Sequence, residues 1–106
     1  MVEVDVNEHG VPQYPKGHAG RLLVTLAAID RLERPTASSV AAFTGLSKGK
    51  IDEYVRTLNE EFGTVITKDG PEYQVESWGE ILRRTGVRRA LTVPFNGTRV
   101  GPSHRS

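Results

Sequence analysis

The sequence predicts one small domain of the α+β class, mainly helical, with three core helices, a β-hairpin and a fourth short helix. Its 106 residues suffice for a single hydrophobic core but not for two ordinary domains. Apolar residues recur with a helical period in three consecutive segments. An Asp-Gly turn then separates two short runs that are β-branched or alternating, which is typical of a hairpin.

Residues 1–17 are predicted to form an N-terminal arm. Val2, Val4 and Val6 alternate with polar residues, as in a strand that buries one face. A frayed terminus is the alternative interpretation of the same pattern. Glycines and prolines interrupt regular structure from residue 10 up to the first helix.

The first two helices are defined by their apolar faces and their ends. The first runs from Ala19 to about Glu33, and Pro35 ends it. The second is about eight residues long, with Thr36 as its N-cap and Gly45 as its C-terminal stop.

The third helix has the strongest period in the chain. It is predicted from Lys48 to about Phe62, with Ser47 as an N-cap candidate and Gly63 as its end. Its apolar face consists of Ile51, Tyr54, Val55, Leu58 and Phe62.

Strands are predicted at 64–68 and 72–76, joined by the turn at Asp69-Gly70-Pro71. The sequence Ser77-Trp78-Gly79-Glu80 matches a capping box, so a fourth helix is expected to start there and to end or kink at Gly86. The folded domain then covers residues 18–90. Residues 91–106 are predicted to be a largely disordered tail, with a possible short strand at 91–93.

A tight turn between the second and third helices, followed by a hairpin, is the arrangement of a helix-turn-helix with a wing. The matching residues are Val40-Ala41, Thr44-Gly45-Leu46, Ser47-Lys48-Gly49, Ile51, Val55, Leu58 and Tyr73-Gln74-Val75. On these residues, segment 36–75 resembles the winged helix-turn-helix of bacterial transcription regulators, most nearly the N-terminal domain of IclR-type regulators and next those of MarR type. With the first helix, the resemblance covers about 60 of the 106 residues.

The resemblance implies binding to double-stranded DNA, with helix 48–62 in the major groove and hairpin 64–76 as the wing. A homodimer is expected, because one such module buries little surface on DNA. The residues implied in the DNA interface are Ser47, Lys48, Gly49, Lys50, Tyr54, Arg56 and Lys68. Arg83 and Arg84, from the basic segment after residue 80, are expected to join this interface if that segment folds back towards the DNA. The alternative interpretation of Tyr54 is that its side chain packs in the hydrophobic core.

Asp52 and Glu53 depart from the family pattern, because polar or basic residues usually occupy the exposed face of a reading helix. Two adjacent carboxylates would repel the phosphates on which DNA affinity largely depends. The alternative function is therefore a winged-helix module that binds another protein and no DNA.

The charge is divided unevenly along the chain. Residues 1–76 contain eight lysines and arginines against twelve acids, whereas residues 77–106 contain six arginines and only Glu80. Such a basic segment either meets an external anion or packs against the acidic part of its own fold.

The remaining composition argues against other classes of protein. The absence of cysteine excludes disulfides, thiolate metal sites and thiol nucleophiles. We expect no enzyme activity, cofactor or metal site, because no acid–base pair or ligand cluster is recognisable. No apolar run reaches membrane-spanning length, and the acidic N-terminus is unlike a signal peptide, so a cytoplasmic protein is expected.

Overall fold

The computed structural model describes residues 2–91 and 98–100. In chain order, the elements are β1 (Val2–Val4), α1 (Gly20–Arg31), α2 (Ala37–Thr44), α3 (Lys48–Phe62), β2 (Val65–Asp69), β3 (Glu72–Ser77), α4 (Arg84–Arg89) and β4 (Thr98–Val100). Within this part of the chain, four helices accompany an antiparallel hairpin of β2 and β3, while β1 and β4 pair in parallel. The predicted α+β, mainly helical class is confirmed.

Helix α1 is the centre of the fold. It packs against α2, α3, α4 and β3. Because neighbours cover it on several sides, all residues from Val24 to Ile29 are buried, not only one stripe. The apolar core around it includes Val40 of α2, Ile51 and Leu58 of α3, Ile66, Tyr73 and Val87.

The ends of α2 follow the local signals in the sequence. Thr36 Oγ1 accepts a hydrogen bond from the Ser39 N–H, and Ser39 Oγ accepts one from the Thr36 N–H. Gly45 has a φ of +81°, a conformation that glycine adopts without the strain that a Cβ would cause. The predicted N-cap and C-terminal stop are therefore confirmed.

Helix α3 has the predicted bounds, with Ile51, Val55 and Leu58 buried and Gly63 in the left-handed conformation. Ser47 occupies the N-cap position, but its side chain makes no capping hydrogen bond. The predicted N-cap position is therefore confirmed, without the hydrogen bond that a serine cap usually provides.

The hairpin is fastened to the helices at its base. Asn59 of α3 donates to the Ile66 carbonyl at 3.1 Å and accepts from the Ile66 N–H at 3.0 Å. On the other strand, the Tyr73 N–H donates to the Pro35 carbonyl at 2.8 Å, and Thr36 forms an isolated bridge with Glu72. The connection between α1 and α2 thus extends the edge of the hairpin.

The fourth helix begins later than the sequence predicts. The Ser77 hydroxyl accepts from the Gly79 N–H, which makes a local turn, and Gly79 has a φ of +73°. A Cβ at Gly79 would lie 2.7 Å from the Gly63 carbonyl oxygen, so the chain is held in close approach rather than in a helix. The predicted capping box is therefore wrong, and Gly86 lies inside α4 instead of ending it.

The N-terminal arm contributes to the core. Val11 and Tyr14 are 1% and 3% exposed. The side-chain amides of Asn7 and Gln13 donate at 2.9 Å to the carbonyls of Phe43 and Thr44, which lie in the last turn of α2 and have no later helical N–H to accept from. The arm therefore completes the C-terminal end of α2.

Beyond α4, Leu91 is buried against the core. Strand β4 lies in a segment for which the sequence predicts no regular structure, and its register pairs Val2 with Thr98 and Val4 with Val100. Strand β1 contains Val2 and Val4 of the predicted strand, whereas Val6 lies outside it, in an isolated bridge with Pro12, and is 43% exposed. The predictions for residues 92–97 and 101–106 fall outside the described residues.

Candidate nucleic-acid interface

The first turn of α3 presents a compact polar surface. Ser47, Lys48 and Gly49 are exposed and Lys50 is half-buried, while Ile51 behind them is fully buried. Burial of Ile51 fixes the rotation of the helix, so that its leading residues face solvent. The free N–H groups of a helix N-terminus also point outward from such a turn.

Gly49 leaves open space beside the helix. A Cβ added there would have Ser47 Oγ at 3.9 Å as its only neighbour within 4 Å. Neither the fold nor the backbone angles therefore require glycine at this position. A glycine that packing does not explain lets another molecule approach the backbone closely.

A three-residue cluster joins α3 to the hairpin. The Tyr73 hydroxyl donates a hydrogen bond to Asp52 Oδ1, and Lys68 Nζ lies 3.5 Å from the same oxygen. The Lys68 ammonium also lies 5.0 Å from the centre of the Tyr73 ring, a cation–π distance. Lys68 and Tyr73 are cross-strand partners, so the hairpin register sets this geometry.

The cluster changes the ionisation of both acidic groups. The hydrogen bond from Tyr73, followed by the positive charges of Lys68 and Arg56, lowers the pKa of Asp52 below its ordinary 3.8. Burial, followed by the hydrogen bond to Asp52, raises the pKa of Tyr73 above its ordinary 10.0. At neutral pH a charged carboxylate therefore faces a neutral phenol and an ammonium.

The second carboxylate on this face is paired along the helix. Glu53 Oε1 lies 3.4 Å from Lys50 Nζ, one turn earlier. Asp52 and Glu53 therefore each have a lysine partner. Lys48 and Arg56 are exposed and form no ion pair within the described residues. In the first two turns of α3, Lys48 and Lys50 therefore balance Asp52 and Glu53, and Arg56 and Lys68 add two positive charges beside Asp52.

Tyr54 is half-buried and belongs partly to the fold. Its hydroxyl accepts a hydrogen bond from Arg21 Nη1 at 3.1 Å, and Arg21 Nε donates to the Tyr14 carbonyl at 2.9 Å. This chain of contacts connects α3 to α1 and to the N-terminal arm. The structure thus gives Tyr54 a packing role on the side of α3 next to α1.

The arginines of α4 are not brought to this surface by the contacts of the fold. Asp30 of α1, whose side chain is only 10% exposed, lies 3.2 Å from Arg84 Nε and 2.8 Å from Arg88 Nε. Arg83, just before α4, is exposed. The basic segment is expected either to meet an external anion or to pack against an acid of its own fold. Arg84 and Arg88 do the second, because both pair with Asp30.

A second surface lies at the opposite end of α3, and the sequence predicts only part of it: in the protein-binding alternative, Glu60 and Glu61 would meet a basic partner. Glu60, Glu61 and Glu80 line one groove with Phe62 and Ile81. Ile81 is 66% exposed. The sequence shows the acidic residues at the end of α3. It does not show that Glu80 lies beside them, because that proximity depends on the turn after the hairpin.

Comparison of the chain with protein-family models, with curated proteins and with solved structures found no match. Among the described helices, none combines the length and apolar character needed to cross a bilayer. Residues 2–91 and 98–100 also contain no group of three or more histidines and acids placed to hold a metal ion.

Proposed function

We propose that this protein binds double-stranded DNA as a winged helix-turn-helix regulator, with the first turns of α3 in the major groove and the β2–β3 hairpin as the wing. The observation that carries the proposal is the cluster of Asp52, Lys68 and Tyr73. It holds the hairpin cation Lys68 against α3, one turn beyond Lys48, so that helix and hairpin can contact the same duplex.

The way the hairpin is attached also supports a wing. Asn59 fixes β2 to α3, and the hydrogen bond from Tyr73 to Pro35 fixes β3 to the connection before α2. A wing must keep a constant position relative to the reading helix, since both contact the same duplex. Anchors on both strands provide that constancy.

The charges are consistent with phosphate contacts. Lys48 and Arg56 are exposed cations without an ion pair in the described part of the chain, and the exposed N-terminus of α3 favours an anion. Ser47, Gly49, Lys50 and Lys68 complete the proposed interface. Two copies are expected to bind together, because one module buries only about 600–1,000 Å² on DNA.

The test is a salt titration of binding to a labelled random-sequence duplex, followed by fluorescence anisotropy. Lys48 and Arg56 give each copy two cations that form no ion pair in the described part of the chain, so the logarithm of the association constant should fall with the logarithm of salt with a slope of about −2 per copy or steeper. Lys48→Glu should remove most of this binding. The variant should remain folded, because an acidic residue in the first turn of a helix is favourable.

Arg89→Glu is the matched control. It makes the same charge change on α4, which packs against α1, and should weaken binding far less than Lys48→Glu. Equal losses for both variants would show that binding follows net charge and not this surface. Absence of binding to any duplex at 25 mM salt would overturn the proposal.

The groove at the other end of α3 favours a second candidate function, a module that binds a basic protein segment. An exposed isoleucine beside three glutamates could accept an apolar side chain flanked by lysine or arginine. If this candidate is correct, the protein should show no duplex binding at any salt concentration in the titration above. Lys48→Glu should still fold normally.

A further inference from the structure

We propose that Asp52 and Glu53 act as internal counterions that restrain Lys68 and Lys50, and thereby set how weakly the protein binds DNA of unrelated sequence. This inference rests on the proposed function. It concerns discrimination between DNA sites, which the DNA-binding proposal by itself leaves unexplained.

The geometry gives each restrained lysine a specific partner. Lys68 Nζ is 3.5 Å from Asp52 Oδ1, and Lys50 Nζ is 3.4 Å from Glu53 Oε1. All four side chains are between 43% and 60% exposed, so phosphates can reach the same ammonium groups that the carboxylates hold. A DNA phosphate must therefore compete with a carboxylate that is already in place.

The two pairs are not equally strong. The Glu53 pair links two flexible side chains on one helix, and such exposed pairs are weak. Asp52 is held by a second group, since the Tyr73 hydroxyl donates to it and keeps it ionised and in position. Lys68 is also constrained by the Tyr73 ring. Asp52 should therefore restrain its lysine more than Glu53 does.

The restraint has a consequence for recognition. Contacts to phosphate are the same on every sequence, so lysines held by carboxylates contribute little to random-sequence binding. A correct site provides base-edge contacts that bring the duplex close enough to displace the carboxylates, or that use them as acceptors for cytosine amino groups. The acidic residues would thus increase the ratio of specific to random binding.

The test compares Asp52→Asn with the wild-type protein in random-duplex binding across a salt series. The amide keeps an acceptor for the Tyr73 hydroxyl, so the hairpin should stay attached, but it removes the charge that holds Lys68. Binding at 0.1 M salt should tighten roughly five- to tenfold, and the salt slope should steepen by about 0.9, the value for one added phosphate contact. Glu53→Gln should act in the same direction by a smaller factor.

Glu60→Gln provides the matched control. It removes one negative charge from the same helix, about 12 Å further along its axis and beyond the Debye length at 0.1 M salt. It should change random-duplex affinity by less than about twofold. Thermal unfolding of each variant verifies that the fold is retained.

The outcomes separate this inference from the proposed function. If the wild-type protein binds duplex DNA and Asp52→Asn equals Glu60→Gln in affinity and slope, the counterion role is wrong while DNA binding stands. Weaker binding by Asp52→Asn would also overturn the counterion role. If neither the wild-type protein nor Asp52→Asn binds any duplex, both proposals fail.

Discussion

Replacing Tyr73 with phenylalanine measures how firmly the hairpin is attached to α3. The ring is 4% exposed, so the substitution keeps its packing and removes only the hydroxyl that donates to Asp52. A hydrogen bond to a charged group contributes roughly 1.5–3 kcal/mol when it is shielded from water. The Asp52 side chain is 60% exposed, so solvent screening reduces the expected loss to about 1 kcal/mol.

That loss can be read as a melting temperature. With an unfolding entropy of about 2.1 cal/mol/K per residue over the chain, 1 kcal/mol lowers Tm by about 4 to 5 °C. Circular dichroism during heating and in urea gives the free energy for wild type, Tyr73→Phe, Asp52→Ala and the double variant. We expect a coupling energy of about 1 kcal/mol between the two positions. A coupling below about 0.3 kcal/mol would refute the attachment.

The pH dependence gives an independent signature. The pKa of Tyr73 is raised in the folded state, so its stabilising contribution is complete below pH 10 and is lost as the pH rises further. The pKa of Asp52 is lowered, so its contribution is complete above pH 3.8 and is lost as the pH falls below that value. The difference between wild type and Tyr73→Phe should therefore shrink above pH 10. A constant difference from pH 8 to 11 would contradict the buried phenol.

Three further substitutions test other parts of the structure. Gly49→Ala should raise the free energy of unfolding by about 0.5 kcal/mol, through helix propensity, and yet weaken duplex binding severalfold; unchanged affinity in anisotropy would contradict close approach of DNA. Gln13→Ala should lower the urea-derived stability by about 1–2 kcal/mol, because the Thr44 carbonyl loses its partner, and a loss under 0.3 kcal/mol would contradict this. Arg84→Ala should cost under about 1 kcal/mol and leave the salt slope of DNA binding unchanged, because Asp30 holds that guanidinium; a slope shallower by about one unit would make Arg84 a phosphate contact.

The helices that could be predicted from the sequence depend on local chemistry. Thr36 caps the start of α2, and a glycine in the left-handed conformation ends both α2 and α3. Each of these effects involves only residues close by in the sequence. The 3.6-residue period of α3 likewise needs only the sequence around it. These features therefore predicted the bounds of α3 and the caps of α2 correctly.

The features that could not be predicted depend on residues far apart in the chain. Ser77-Trp78-Gly79-Glu80 fits a capping box, but Gly79 is held against Gly63, sixteen residues earlier. The contacts of Asn7 and Gln13 with the end of α2 span 36 and 31 residues. No local pattern shows that a polar arm will complete a helix, so the sequence predicts only a separate N-terminal arm for these residues.

The candidate site shows the same division. The exposure of Ser47, Lys48 and Gly49 follows from the helical period, which places Ile51 in the core. The pairing of Asp52 with Lys68 depends on the hairpin register, and sequence alone showed only two carboxylates that would repel DNA. The charge of Arg83 and Arg84 predicts contact with DNA, but Arg84 pairs with Asp30 in the structure.

Backbone amide chemical shifts, recorded by NMR while a short duplex is added, test directly whether α3 and the hairpin form the DNA surface. We predict that the largest changes fall at residues 47–50 and 67–70, with little change at residues 60–63 and 84–89. Changes centred on 60–63 and 79–81, or on 84–89, would contradict the proposed interface.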